Sequence, residues 1–330
     1  MRVFVAGAGG AIGRRLVPRL VEHGHEVVAT TRRREKLDEL RALGVEAIVM
    51  DGLDAGSVGE AVARAEPEVI VHQMTALAGA TDLKHFDDSF AITNELRTRG
   101  TEHLLAAADA TRVRRFVAQG YTGWPYAREG VAVVSEDDPV DRNPPAAMRR
   151  TLEALRRQEQ LLAGASQETV VLRYGSFYGP GASDELVELV RRRKLPLVGA
   201  ATGVWSWIHV DDAAAATVAA VDAKVTGVFN VVDDEPAPVS EWLPYLAEVL
   251  GARPPRRVPV LLARLAAGEA VVHLMTRIPG ASNAKARREL GWRPRWTSWR
   301  QGFRDGLQGA LPSLLRPAGR PVRESVALHR

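Results

Sequence analysis

Val3-Phe4-Val5-Ala6-Gly7-Ala8-Gly9-Gly10-Ala11-Ile12-Gly13 is the stretch that decides the fold. An apolar run ends in glycines, and an amphipathic pattern follows, with Ile12, Leu16, Leu20 and Val21 along one side. That order reads as strand, tight turn, helix. Gly7, Gly10 and Gly13 fit G-x-x-G-x-x-G: a backbone bend, a close approach to a ligand, and tight helix–strand packing. Unpaired amides at the helix start and the helix dipole then face an anion, which points to the pyrophosphate of a dinucleotide. Ala11 and Ile12 share the loop and belong to the same expected contact.

The pattern continues outward. Strands are expected at residues 26–31, 46–50, 68–72, 115–119 and 169–173, separated by helices at 35–43, 57–64, 86–110 and 146–163. Apolar strands alternating with helices mean parallel crossovers and an α/β, doubly wound sheet. Beyond residue 175 the rhythm loosens. Helices are expected at 184–192, 211–222, 240–250, 260–276 and 298–307, with short strands at 206–209 and 228–232. The expected division is a Rossmann-type domain over residues 1–175 and a smaller substrate lobe over 176–310, some of whose elements return to the core. A loose tail follows over 311–330.

The end of the second strand selects the dinucleotide. A carboxylate there would bind a ribose 2′-hydroxyl. The sequence instead has Thr31-Arg32-Arg33-Arg34. Guanidinium groups pair with phosphate and stack on adenine, so Arg32 and Arg33 point to NADP(H) ahead of NAD(H). Asp51 closes the third strand, where it either accepts from an adenine amine or simply ends the strand; Gly52 and Leu53 follow it. His72, Gln73, Met74 and Thr75 are expected to border the cofactor.

Composition excludes several classes. The chain has 330 residues, no cysteine and a formal charge of +4. Disulfides, thiolate nucleophiles and cysteine-held zinc are excluded. The eight histidines show no metal-ligand spacing. No apolar run reaches membrane length, the opening residues MRVFVAGAGG enter a strand without a signal-peptide cleavage pattern, and the basic runs are short. A cytoplasmic protein acting on a small molecule is expected, with neither nucleic acid nor membrane as partner. A homodimer is expected through the helices at 86–110 and 146–163, using Leu152, Leu155, Gln158, Glu159 and Leu162.

Further motifs follow in order: Thr93-Asn94-Glu95, Arg173-Tyr174-Gly175-Ser176-Phe177-Tyr178-Gly179-Pro180-Gly181, Trp207-Ile208-His209-Val210-Asp211-Asp212, Phe229-Asn230-Val231 and residues 285–294, KARRELGWRP. With the glycine loop and Asp51, they make the chain resemble the extended short-chain dehydrogenase/reductases, the epimerase/dehydratase group, over residues 1–307. The resemblance implies hydride chemistry at a nicotinamide, a site between two lobes, a structural Asn94 counted among the cofactor-binding residues, and Tyr174 beside the cofactor.

One part of that pattern is missing. The family relies on Ser or Thr after strand five and Tyr-x-x-x-Lys on the next helix. Gly120 or a close neighbour takes the serine position, with Thr122 the nearest hydroxyl. Residues 146–163 contain neither tyrosine nor lysine; one register puts Thr151 and Leu155 at the pair, another Met148 and Leu152. Three readings remain open: a reductase with a replacement acid, a non-redox cyclase, isomerase or dehydratase with a structural cofactor, or a silent NADP(H) sensor or scaffold. The replacement acids are Tyr121, Tyr126 and Tyr174, with Tyr178 a further phenol and Arg149 or Arg173 as helpers. Trp124, Tyr178, Trp205 and Trp207 are the expected substrate wall, with core packing as the competing reading for Trp124, Trp205 and Trp207; the place of the Trp124-Pro125-Tyr126 loop after strand five favours the site there. His209 reads as a base or, in preference, as a structural residue beside Asp211 and Asp212.

Overall fold

The computed structural model describes residues 1–77, 82–124, 126, 132–141 and 143–307. The tail at 311–330 and Pro125 lie outside them. The chain opens with β1 (Arg2–Ala6), α1 (Gly13–Glu22), β2 (Glu26–Thr31), α2 (Leu37–Arg41), β3 (Glu46–Val49), α3 (Ala55–Ala65) and β4 (Val69–His72). Then come α4 (Thr101–Asp109), β5 (Arg115–Tyr121), α5 (Arg149–Ala163), β6 (Glu168–Tyr174), α6 (Val210–Asp222) and β7 (Gly227–Val231). The seven strands are all parallel, in the order β7-β6-β5-β4-β1-β2-β3. The order reverses between β1 and β4, which is where doubly wound sheets bind ligands.

The strands read as apolar runs because both faces are covered. Val3 and Val5 pack with Leu16, Val17 and Leu20 of α1, and with the alanines of α6. Phe4 and Ala6 point the other way, onto Val58 and Val62 of α3 and Leu104 of α4. A third cluster fills the smaller lobe, around Trp207, Trp242, Trp299 and Phe303. A fourth, with Phe86, Trp124, Tyr126, Met148, Leu152, Leu155 and Leu274, lies between helices and loops at the mouth of the sheet.

Three expectations change. The sheet gains a seventh strand, because Gly227–Val231 returns to pair with β6 after the lobe's first excursion. The single helix at 86–110 is broken into Phe86–Ser89, Ala91–Glu95, a π-turn at Leu96–Gly100, and α4. The expected dimer face of α5 points inward: Leu152, Leu155, Gln158 and Leu162 are buried, and Glu159 pairs with Arg173. Among described residues, the outer side of α5 is polar, with Arg157 paired to Glu102 of α4.

Candidate active site

The glycine loop is shaped by two different demands. Gly7 sits at φ +94°, and a Cβ there would meet the Gln73 carbonyl at 2.8 Å. At Gly13 a Cβ would lie within overlap of the Ala8 backbone. Gly7 must be glycine for the turn to pass the end of β4, and Gly13 for the start of α1 to pack on Ala8. Gly10 is different: its Cβ would meet only the Gly7 carbonyl, at an ordinary 3.5 Å. Space above Gly10 is therefore left open rather than filled. Among the described residues, the amides of Ala11, Ile12 and Gly13 donate to no protein acceptor, and no side chain caps α1. The cradle fits a pyrophosphate.

Beyond β2, Arg32, Arg33 and Arg34 are exposed, and Arg33 reaches Glu35 only at 4.0 Å. Sequence reading missed Lys36. Its Nζ donates to the Gly9 carbonyl at 3.4 Å, which brings it back over the loop. Its ammonium is held below the usual lysine range by burial first, then by Arg14 and Arg33. The only sequence signal was its place one turn after the arginine run. Asp51 is partly committed, since its Oδ1 accepts the Leu53 amide at 3.0 Å and closes its own turn. Gly52 lies against the Met74 sulfur, and buried Met74 also packs with Leu96. Gly52, Leu53 and Met74 thus form the floor that carries Asp51.

At the carboxyl ends of β4 and β6 the polar groups are locked. His72 donates from Nε2 to the Leu96 carbonyl at 3.1 Å and accepts the Met74 amide on Nδ1 at 3.2 Å. Burial pushes the imidazole down to about 4, so it is neutral. Gln73 donates to the Tyr174 hydroxyl, which donates to Thr217 Oγ1 at 2.6 Å; Thr217 in turn donates to the Ala213 carbonyl. Tyr174 is fully buried and pushed up to about 12 by that burial. The expectation that it serves as an acid gives way to a post joining β4, β6 and α6. Tyr178 and Trp207 are also fully buried, in edge-on contact with each other and with Phe303. They are core, not substrate wall, because the lobe's helices close over them.

The remaining aromatic candidates do meet. Tyr121 is half-buried at the end of β5, its hydroxyl 3.2 Å from Ser176 Oγ, with Trp124 edge-on at 5.0 Å. Tyr126 is buried, its hydroxyl 3.3 Å from Thr122 Oγ1. Burial raises both phenols, the wrong direction for an acid at neutral pH. The expected arginine help is too weak to offset burial: Arg173 pulls the Tyr126 phenol down but is itself clamped by Glu159 at 2.7 and 2.8 Å, and Arg149 is exposed. Trp205 is half-buried, donates to the Leu274 carbonyl, and stacks at a tilt on Trp242.

On α5, Met148, Thr151, Leu152 and Leu155 are all buried, so either register gives the same answer. Thr151 donates to Asp87 Oδ1 at 2.7 Å and accepts from Asn94 Nδ2 at 3.0 Å. Asp87 also takes the Arg150 and Thr151 amides, capping α5. Asn94 therefore ties the first turn of α5. No titratable pair stands where the family has one.

The π-turn holds a residue that sequence reading did not single out. Arg97 is buried, and its Nε and Nη1 have no hydrogen-bond partner. It lies within electrostatic reach of Tyr121 and His72. Burial pulls the guanidinium down to about 10.

His209 is structural. It accepts the Asp211 amide on Nδ1, capping α6, and its Nε2 donates to the Gly306 carbonyl. Asp212 accepts the Arg295 and Trp296 amides. Among the described residues, no cluster of His, Cys, Asp or Glu could hold a metal ion, and no helix is long and apolar enough to cross a membrane.

The comparisons agree with this geometry. The chain is 44% identical over 308 residues to the 3-diazoavenalumate denitrifying reductase of a Streptomyces species, spanning 92% of this chain and 99% of that protein. It is 30% identical over 269 residues, 76% of each chain, to the 2-alkyl-3-oxoalkanoate reductase of Stenotrophomonas maltophilia. The solved UDP-glucose 4-epimerase of Thermus thermophilus in complex with NAD superposes with a TM-score of 0.72 at 24% identity, covering 94% of this chain and 99% of that one. The human epimerase family protein SDR39U1 with NADPH gives 0.72 at 20%, covering 93% and 99%. The family model described as the NAD dependent epimerase/dehydratase family matches residues 3–231. With an open glycine cradle, a parallel sheet reversed at β1 and β4, and that match, the chain belongs to the NAD dependent epimerase/dehydratase family and is an enzyme built around a nicotinamide dinucleotide.

Proposed function

We propose that the protein is an NADPH-dependent reductase of a diazo-bearing aromatic acid, working without a protein proton donor. One observation carries this reading: the face of α5 that should present a phenol and an amine presents buried Thr151 and Leu155. Carbonyl reduction needs a proton on the new hydroxyl, so losing that pair costs the reaction a rate factor of roughly 10²–10⁴. When bound, reduced nicotinamide supplies one hydride, which replaces the diazonium nitrogens on an aromatic carbon as dinitrogen leaves, and no proton enters the balance. The 44% identity to a denitrifying reductase of a diazo compound supports the same chemistry. The protein's own task is to hold, orient and desolvate. Ala11, Ile12 and Gly13 would hold the pyrophosphate; Arg32, Arg33 and Lys36 would take the 2′-phosphate; half-buried Tyr121 borders the substrate space, backed by the buried Trp124 ring.

A second reading keeps one specific support. Tyr121, paired with Ser176 at the end of β5, is the one candidate phenol that is neither fully buried nor locked by two partners. It would act as the acid of a ketone reductase, as the 30% relative's name suggests. The two are separated by following NADPH oxidation with 3-diazoavenalumate and with a 2-alkyl-3-oxoalkanoate. The expected result is NADPH consumed one-to-one with dinitrogen released, and Tyr121→Phe within about threefold of wild type. Turnover of the ketone alone, or a loss of roughly 10²-fold or more on Tyr121→Phe, overturns the proposal.

A further inference from the structure

We propose that Arg97 anchors a carboxylate of the substrate, so that the site is built for an anionic aromatic acid. The inference deepens the reductase reading above and names the group its substrate must carry. Three arginines are buried among the described residues. Arg115 donates to the Ala220 and Val225 carbonyls and pairs with Glu168. Arg173 is clamped by Glu159. Arg97, at 4% exposure, has no carboxylate, and its Nε and Nη1 meet no acceptor.

A buried charge left unpaired is among the most destabilising features a fold can carry. Here it sits on a π-turn, a local widening that recurs at functional sites. Its electrostatic neighbours are neutral: the His72 imidazole and the Tyr121 phenol, at the carboxyl ends of β4 and β5. An entering anion would remove the mismatch, and a planar guanidinium fork matches a carboxylate or a phosphate. The cofactor's phosphates have other partners: the open amides of the glycine loop and the cations after β2. Arg97 is instead within electrostatic reach of His72 and Tyr121, and Tyr121 pairs with Ser176 and packs on Trp124. A carboxylate held there places an aromatic body toward the half-buried Tyr121 ring.

The test is titration calorimetry of NADPH-loaded protein with cinnamate and with its uncharged isostere cinnamamide, for wild type, Arg97→Met and Arg97→Lys. Wild type is expected to bind cinnamate about tenfold or more tighter than cinnamamide. Arg97→Met is expected to lose that preference, keep NADPH affinity within about twofold, and melt at a higher temperature without ligand, since a mismatched charge is gone. Arg97→Lys is expected to keep part of the preference. A wild type that does not distinguish acid from amide overturns the inference. So does a tenfold loss of NADPH affinity in Arg97→Met, which would assign the anion to the cofactor. The outcomes separate from the reductase reading: acid preference without diazo turnover sinks the reaction and keeps the anchor, and the reverse pattern sinks the anchor alone.

Discussion

Gly10 and Gly13 look equivalent in the spacing, yet they answer to different neighbours. A methyl at Gly13 collides with the Ala8 backbone, while one at Gly10 finds only van der Waals contact within the protein. Gly13→Ala is therefore expected to destabilise the fold by roughly 1–3 kcal/mol. Gly10→Ala is expected to leave the thermal midpoint unchanged or slightly raised and to weaken NADPH by about tenfold or more. Fluorescence titration beside a thermal melt reads both, and a Gly10→Ala protein that binds NADPH normally refutes the open-cradle argument. His72 gives a second prediction. Its folded pKa of about 4 lies below the ordinary 6.5, so the unfolded chain takes up the proton first. Its contribution is complete above pH 6.5, falls away between pH 6.5 and 4, and is gone below 4. Between pH 7 and pH 4.5 this one group should remove roughly 2–3 kcal/mol. Urea unfolding at both pH values should show a smaller loss in His72→Gln than in wild type, and equal losses would reject it. The glycine spacing was plain in the sequence. The burial of Tyr174, Tyr178 and Trp207 was not, because a residue's letter does not say which face another lobe will cover.

Elements, not single residues, decide what the cofactor half and the catalytic half offer. The short helical turn Arg34–Lys36 after β2 swings Lys36 back to Gly9, so the loop and the cations form one surface. Arg32→Ala and Lys36→Ala are each expected to weaken NADPH by about 5–50-fold and to leave NADH nearly unchanged, because only NADPH carries the 2′-phosphate. Equal effects on both cofactors, or a wild-type preference for NADH, would refute this. The arginine run was legible because charge at a strand end is a local signal. Lys36 and Arg97 were not, since each depends on how a short turn is wound. The expected single helix at 86–110 hid the π-turn that directs Arg97 inward and the separate turn that brings Asp87 to cap α5. Periodicity reports that a segment is helical, and a one-residue widening barely disturbs it. The missing Tyr and Lys, by contrast, were visible at once, because an absence in a named helix needs no geometry.

Across the whole molecule the two lobes are sewn together rather than joined by a linker. The chain leaves β6, builds part of the smaller lobe, returns through α6 and β7 to the sheet, and leaves again. The sequence shows the short apolar run that becomes β7, but its place beside β6 is fixed by pairing that no local pattern encodes. Several contacts tie the halves. Arg15 reaches the Pro180 carbonyl and Asp211, Arg19 reaches Asp211, and the Arg115 guanidinium holds the Ala220 and Val225 carbonyls. We therefore propose that residues 1–175 do not form an independent unit. Cut there, α6 no longer covers the Leu16–Leu20 face, β6 becomes a bare edge, and buried Arg115 loses two acceptors. All seven tryptophans lie at or beyond residue 124, so their fluorescence reports the lobe and its seam while far-ultraviolet dichroism reports every helix. The two signals are expected to trace one coincident urea transition in the full chain, and the fragment 1–175 is expected to show no cooperative transition. A fluorescence change that finishes before the dichroism begins, or a fragment that melts cooperatively, would mean that the lobes fold separately and that the site between them is assembled by docking.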